Sequence, residues 1–279
     1  MSTQAVLYDV QGPRARRRTA IGSIIGSFVV AAIVVAVVLR LNARGQFESE
    51  KWQPFSDPDI IRALGEGLVA TLRVAGTAVL LALLLGTVLA VGRLSDRRLL
   101  RTPATWVVEL FRAIPLVLLI LFFFFRFGVT LGRYGALVAA LALYNGAVLA
   151  EVFRAGILAV PRGQTEAAQA IGLRKSQVMR LILVPQAVRL MMPAIIAQCV
   201  VALKDTALGF IIAYPELLRT GQLIYNGYFN IIPTALVVAA VYVTMNLLLS
   251  RVAIVLERRQ GRARPVVTLG PAEAPPPTI

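Results

Sequence analysis

Six apolar runs divide this chain, roughly Ile21 to Leu39, Leu68 to Val91, Trp106 to Phe125, Gly135 to Leu158, Met191 to Ala213 and Ala235 to Val255. A helix of about 20 apolar residues crosses the hydrocarbon core of a bilayer, so each run is a candidate spanning helix. Composition supports this: 58% of the 279 residues are hydrophobic and the mean hydropathy is +0.75, too apolar for an ordinary soluble domain. The expected fold class is therefore all-α integral membrane, with about six transmembrane helices. The first run is too long and too apolar for a typical signal-peptide core, and no small-residue cleavage pattern follows it, so it counts as a retained span.

The charges orient these spans. Arg14, Arg16, Arg17 and Arg18 precede the first run, and Arg93, Arg97, Arg98 and Arg101 lie between the second and third. Arg162, Arg174, Lys175, Arg180 and Arg189 lie around the polar interval between the fourth and fifth, and Arg258, Arg259, Arg262 and Arg264 follow the last. These are alternate loops on one face. The positive-inside rule assigns that face, and with it both termini, to the cytoplasm. A net charge of +15 placed in this way needs no nucleic-acid partner; its natural counterpart is the lipid bilayer, whose inner leaflet is anionic. Histidine is absent and Cys199 is the single cysteine, inside a predicted span. That inventory excludes a conventional zinc site, a histidine-based triad and an intrachain disulfide.

Between the fourth and fifth runs the polar stretch from Pro161 to Pro185 reads as two short helices joined at Gly172. Glu166 is expected in the first turn, where the helix dipole favours negative charge. Ala167 and Ala168 offer a small face that another protein can approach closely. Gly172, lacking a Cβ, can adopt the left-handed conformation that ends one helix and aims the next. Glu166-Ala167-Ala168, a glycine four residues later, then Ile182-Leu183-Val184-Pro185 resembles the EAA loop of ATP-binding-cassette importer permeases, with Val184 where the family has leucine. The resemblance implies that Glu166, Ala167, Ala168, Gly172, Ile182 and Pro185 couple the chain to a separate ATPase subunit.

From about Gly65 to Arg259 the chain resembles the permease core of polar amino acid importers of the histidine/glutamate group. Thr71-Leu72-Arg73-Val74, the Arg93 to Arg97 turn, Tyr144-Asn145-Gly146, Glu151 to Gly156 and Lys204-Asp205-Thr206-Ala207-Leu208 carry that likeness. Phe111-Arg112-Ala113-Ile114-Pro115 is similar to the glutamate branch. The implied fold is that of a type I ABC importer permease (MetI-like). Its organisation would be a basic cytoplasmic leader over 1–19, an extra N-terminal transmembrane helix over 20–40, and an outer loop with an interfacial elbow helix over 41–66. A core of five transmembrane helices follows over 67–259, with its coupling loop at 159–190, then a disordered cytoplasmic tail over 260–279. The elbow is expected to start at Asp57-Pro58-Asp59, with proline at the first helical position. A second amphipathic helix is expected to open at Pro215-Glu216 and to cover the outer mouth.

Polar groups within spans are costly in lipid and should face the protein interior. Asn145 is the deepest and is expected to line a route; Gln198 lies in the fifth span. Glu151 and Arg154, three residues apart, share a helix face and can neutralise one another. Lys204 and Asp205 point about 100° apart and need other partners. They either snorkel and cap a helix, or form a gate that touches a substrate's carboxylate and ammonium. Pro115 should kink the third span. Arg112, Pro115, Asn145, Gln198, Lys204 and Asp205 are thus the candidate substrate pathway.

No Gly-x-x-x-x-Gly-Lys-Ser/Thr loop occurs, so ATP and Mg²⁺ are expected on a partner and not on this chain, which has no catalytic residues of its own. The resemblance implies two ABC ATPase subunits, a second homologous permease subunit and an extracellular amino acid binding protein, assembled at a bacterial inner membrane. The expected function is the permease subunit of an ABC importer for a polar amino acid, glutamate foremost. The alternatives are a permease for glutamine, arginine or histidine, and a secondary transporter driven by an ion gradient.

Overall fold

The computed structural model describes residues 12–260. Among them there is no strand; the chain runs as α1 (Pro13–Ala43), α2 (Ser49–Trp52), α3 (Pro58–Arg93), α4 (Arg98–Ala113), α5 (Leu116–Leu158), α6 (Arg162–Ala170), α7 (Lys175–Gln177), α8 (Val184–Asp205), α9 (Leu217–Tyr228) and α10 (Ile231–Gln260). A π-helical segment, Val178–Leu183, joins α7 to α8, and a 3₁₀ segment, Thr206–Ile212, follows α8. The tail expected over 260–279 lies outside the described residues, save for its first residue. The leader expected over 1–19 is described only from residue 12, and there it is helical: α1 starts at Pro13 and takes Arg14, Arg16, Arg17 and Arg18 into its first turns. Proline suits the first helical position because the N–H it lacks would be unpaired there anyway.

The described chain forms two units. One takes in the chain up to Ile61 together with Ile224–Leu236. In it α1 between Arg18 and Arg40 carries no charge and exposes apolar residues such as Phe28, as suits a helix whose solvent is lipid. The short α2 is tied to the start of α10: Lys51 Nζ donates to the Phe229 carbonyl at 3.0 Å, and Asn230 Nδ2 donates to the Lys51 carbonyl at 3.0 Å. The predicted helix start is borne out, since the Asp59 N–H donates to Asp57 Oδ1 at 2.9 Å and Pro58 is the first residue of α3. The elbow is not a separate helix. α3 runs unbroken for 36 residues, about 54 Å, so the expected elbow is its first turns.

The other unit comprises Arg62–Leu223 and the chain from Val237. Its main core gathers Val74 of α3, Leu116, Ile120, Leu137 and Leu141 of α5, and Tyr214. A second cluster joins Ala75, Leu203, Leu217, Val238 and Met245. Small residues let the backbones approach: Ala75, Ala78, Ala82, Gly86 and Ala90 recur every three or four residues along α3 and are all buried. At Gly86 a Cβ would lie 3.0 Å from the Gly146 carbonyl oxygen and 3.2 Å from the Ala150 nitrogen, both backbone atoms of α5. Gly86→Leu is therefore expected to force the helices apart at a cost of about 1–3 kcal/mol. A lower unfolding temperature of the purified protein would be the readout, and an unchanged one would mean that the contact is not tight.

Among the described residues five helices are long and apolar enough to cross a membrane: Arg14–Ala43, Pro58–Arg93, Leu116–Leu158, Lys175–Ile212 and Ile231–Arg251. The six runs map onto them with two adjustments. α5 is 43 residues long, about 65 Å, and Gly132 (φ 66°, ψ 177°) breaks it into limbs 116–131 and 133–158; the fourth run is the second limb. The third run is itself interrupted, because the expected kink at Pro115 is a complete break. Ile114 (φ −79°, ψ 128°) and Pro115 (φ −56°, ψ 130°) are both extended and separate α4 from α5. The proline ring drives its predecessor out of the helical region, and its missing N–H is harmless just ahead of a new helix.

Candidate functional site: the coupling loop and the polar residues of the spans

The loop builds on α6. Its C-terminus is closed by two hydrogen bonds, Gly172 N–H to the Gln169 carbonyl at 2.9 Å and Leu173 N–H to the Ala168 carbonyl at 3.1 Å, with Gly172 at φ +82°. This is a Schellman closure, and it bears out the reading of Gly172 as the residue that ends the helix and redirects the chain. A Cβ at Gly172 would meet nothing within 4 Å, so what reserves the position for glycine is backbone conformation and not space. Ala168 is buried, as is Val178 of the adjoining π-helical segment, whereas Glu166 and Ala167 are exposed. Glu166 is not in the first turn as expected. α6 begins at Arg162, which places Glu166 fifth in the helix and leaves the first turn without an acid. The dipole argument therefore fails, and its carboxylate is a surface group.

The second helix of the loop is not a separate short helix either. From Lys175 the chain turns without interruption through the π-helical segment into α8, so Lys175–Ile212 reads as one candidate span. Pro185 does not end the run, because the wide turn before it absorbs the carbonyls that a proline cannot serve. Ile182 is half-buried in that segment and Pro185 is exposed. Gln186 Nε2 donates to the Ile182 carbonyl at 3.0 Å and to Gln164 Oε1 of α6 at 3.3 Å. α6 is thus tied directly to the base of α8. Lys175 also pairs with Asp96 of the α3–α4 turn, whose carboxyl is held below the usual range by that hydrogen bond; both side chains are exposed, so the tie adds little stability.

Deeper in the unit the structure brings together two residues that sequence reading named separately. Gln198 Nε2 of α8 donates to Asn145 Oδ1 of α5 at 2.6 Å, and Asn145 Nδ2 donates to the Leu141 carbonyl at 2.9 Å. Asn145 is 1% exposed, so its amide is spent on bracing the two helices, while Gln198 is half-buried. Arg112 belongs elsewhere, to an ion network near the cytoplasmic end of α5. Arg93, 9% exposed at its side chain, lies 2.5 Å from Glu151 and 3.5 Å from Glu109; Arg112 lies 3.8 Å from Glu109; Arg154 lies 2.5 Å from Glu151. The Glu151–Arg154 neutralisation is as expected, and Arg93 is the partner that spacing could not reveal. Pro115 is an exposed helix boundary. Lys204 is exposed and Asp205 half-buried at the end of α8, and among the described residues neither forms a hydrogen bond or ion pair through its side chain.

Glu216 went unrecognised beyond its place at a helix start. Its carboxylate is fully buried and accepts from the Leu218 N–H at 2.8 Å, the Arg219 N–H at 2.6 Å and the Tyr242 hydroxyl at 2.8 Å. Burial pushes its pKa above the ordinary value, and these donors oppose the shift. Its position just before α9 was the signal for a cap; the tyrosine from α10 had none in the sequence.

Residues 78–262 match the family model described as binding-protein-dependent transport system inner membrane component. The glutamate transport system permease protein GluD of Corynebacterium glutamicum is 39% identical over 244 residues, 84% of this chain and 89% of that one. The probable glutamine ABC transporter permease protein GlnP of Bacillus subtilis is 36% identical over 206 residues, 71% of this chain and 93% of that one. A crystal structure of an amino acid ABC transporter with histidines superposes with a TM-score of 0.69 at 30% identity, covering 74% of this chain and 97% of that one.

Proposed function

Because the chain belongs to the family of binding-protein-dependent transport system inner membrane components, we propose that it passes glutamate across the membrane and that α6 carries the motion of a partner ATPase into the spans. The chain is the permease subunit of an ABC importer and not an enzyme. That identity sets aside an ion-gradient-driven mechanism. The partners are two ATPases, which bind ATP and Mg²⁺, a second permease subunit, and an extracellular binding protein that delivers the amino acid.

The observation that carries the coupling reading is the tie of α6 to α8. The exposed face at Glu166 and Ala167 belongs to a helix closed by Gly172, seated on Ala168 and hydrogen-bonded through Gln164 to Gln186. A push on that face reaches α8 through the Gln164–Gln186 hydrogen bond and across only the four-residue turn at 171–174, which the Gly172 closure fixes. Closure of the ATPase dimer on ATP draws two such helices together, and the spans turn from inward-open to outward-open. Gln198, Lys204 and Asp205, on the half of α8 remote from the coupling loop, then contact the passing amino acid, with Asn145 holding Gln198 in place. Pro115 and Arg112 mark where α4 and α5 hinge.

Glutamate is favoured by the 39% identity to GluD and by Phe111-Arg112-Ala113-Ile114-Pro115; glutamine is the second reading, favoured by the 36% identity to GlnP. Uptake of labelled glutamate by the reconstituted importer with its binding protein decides between them. Unlabelled glutamate and aspartate are expected to compete more strongly than glutamine, the reverse order favouring the glutamine reading, and arginine is expected not to compete. Competition by arginine in the absence of competition by aspartate and glutamine would overturn the acidic reading.

A further inference from the structure

A groove of about 830 Å³ runs between α3, α5 and α8 at the end of these helices nearest the coupling loop. Its walls are apolar: Val91 and Leu94 of α3, Phe153 and Ile157 of α5, Val188 and Ile195 of α8. Val184, Val188, Met191 and Ile195 fall on one face of α8 and extend over about 16 Å, close to half the ~30 Å thickness of a hydrocarbon core. Met191 lies against α5, where a Cβ on Gly156 would come within 2.9 Å of its sulfur. The end at the coupling loop has different chemistry. Arg174, Lys175, Ser176 and Asp96 surround it, and with Lys175 paired to Asp96, Arg174 adds a positive charge balanced by no carboxylate among the described residues.

The groove is an apolar slot of one leaflet's depth with a cationic mouth at headgroup level. We propose that it holds an acyl chain of one anionic phospholipid of the inner leaflet, whose phosphate is received by Arg174 and Lys175. Three observations carry this. The charge at the mouth complements a phosphate, and Ser176 offers it a hydroxyl. Apart from Thr87 and Ala90 on α3, the apolar walls are bulky side chains, whereas the close approach of two transmembrane helices runs along small ones, as at Ala75, Ala78, Ala82 and Gly86. The residues at the mouth are those through which α7 leads into α8, so a bound headgroup would steady the segment that transmits the push from α6.

The test is lipid retention by the whole importer, permease with ATPase, extracted from vesicles of equal phosphatidylglycerol and phosphatidylethanolamine and weighed by native mass spectrometry. The wild type is expected to keep phosphatidylglycerol in preference to phosphatidylethanolamine. Val188→Trp, which fills the slot, should lose both lipids. R174Q and K175Q should keep lipid but weaken the preference, each by about fivefold. Retention of the two lipids in their vesicle ratio by the wild type would overturn the proposal, as would undiminished phosphatidylglycerol on Val188→Trp. An importer that retains no lipid assigns the groove to a neighbouring protein helix and equally overturns it. Should Val188→Trp fail to assemble, phosphatidylglycerol with a diazirine in its acyl chain decides on the wild type: label on Phe153, Ile157 or Val188 upholds the site, and label elsewhere does not.

Discussion

Gly172→Val should leave the permease inserted and assembled yet cut ATP-driven uptake about 5- to 30-fold, the equivalent of roughly 1–2 kcal/mol. The effect follows from φ +82° at this position. An L-residue pays about that amount to hold the left-handed conformation, and a β-branched one is a true outlier there. Because the surrounding space is open, the strain is not relieved by moving a neighbour. It is relieved by abandoning the Schellman closure, which frees the Ala168 and Gln169 carbonyls and swings α6 away from α8. Asparagine tolerates the left-handed region far better than valine, so Gly172→Asn should keep most of the uptake. Uptake into proteoliposomes, normalised to assembled complex, is the measurement. If valine and asparagine behave alike, the conformation of Gly172 is not what transmits the motion.

The pair between α5 and α8 supplies the second large effect, and it is asymmetric. Gln198→Leu leaves Asn145 Oδ1 in a site 1% exposed with nothing to pair, a loss of about 1–3 kcal/mol. Asn145→Leu leaves a half-buried glutamine that can turn toward water, and should lose nearer the ~0.6 kcal/mol typical of hydrogen bonds between membrane helices. Unfolding midpoints in detergent should therefore fall further for Gln198→Leu, and the double variant should lose less than the sum of the two. If Gln198 contacts the substrate, uptake per folded molecule falls, with a raised KM, far more in the Gln198 variant than in the Asn145 variant, which keeps the contacting amide and loses only its positioning. Equal loss in both variants would reduce the pair to a brace.

Much of this is legible in the sequence. Asp57-Pro58-Asp59 announced the start of α3, and Gly172 announced the end of α6, because caps and left-handed turns are set by residues within one helical turn of each other. The misplacements were of two kinds. The position of Glu166 and the continuity of Lys175–Ile212 differ from the sequence expectation because boundaries depend on where a helix nucleates, and Pro185 can be absorbed by a wide turn as readily as it can end a helix. Arg93 with Glu151, Gln198 with Asn145 and Tyr242 with Glu216 leave no mark in the sequence because each joins residues far apart along the chain, on different structural elements.

The sequence by itself determined that this chain is a bundle of membrane-spanning helices with its basic loops on one side. Hydrophobic run length and the distribution of arginines suffice for that, since the bilayer fixes both a thickness and a preferred side for positive charge. Only the tertiary structure decided which face of each helix meets which neighbour. In lipid the outward face of a helix is as apolar as the inward one, so periodicity does not point to the interior. The rotation of α3, α5 and α8 about their axes is set instead by contacts such as Gly86 against the backbone of α5, and from that rotation come the buried amide pair, the tie of α6 to α8 and the groove at their base.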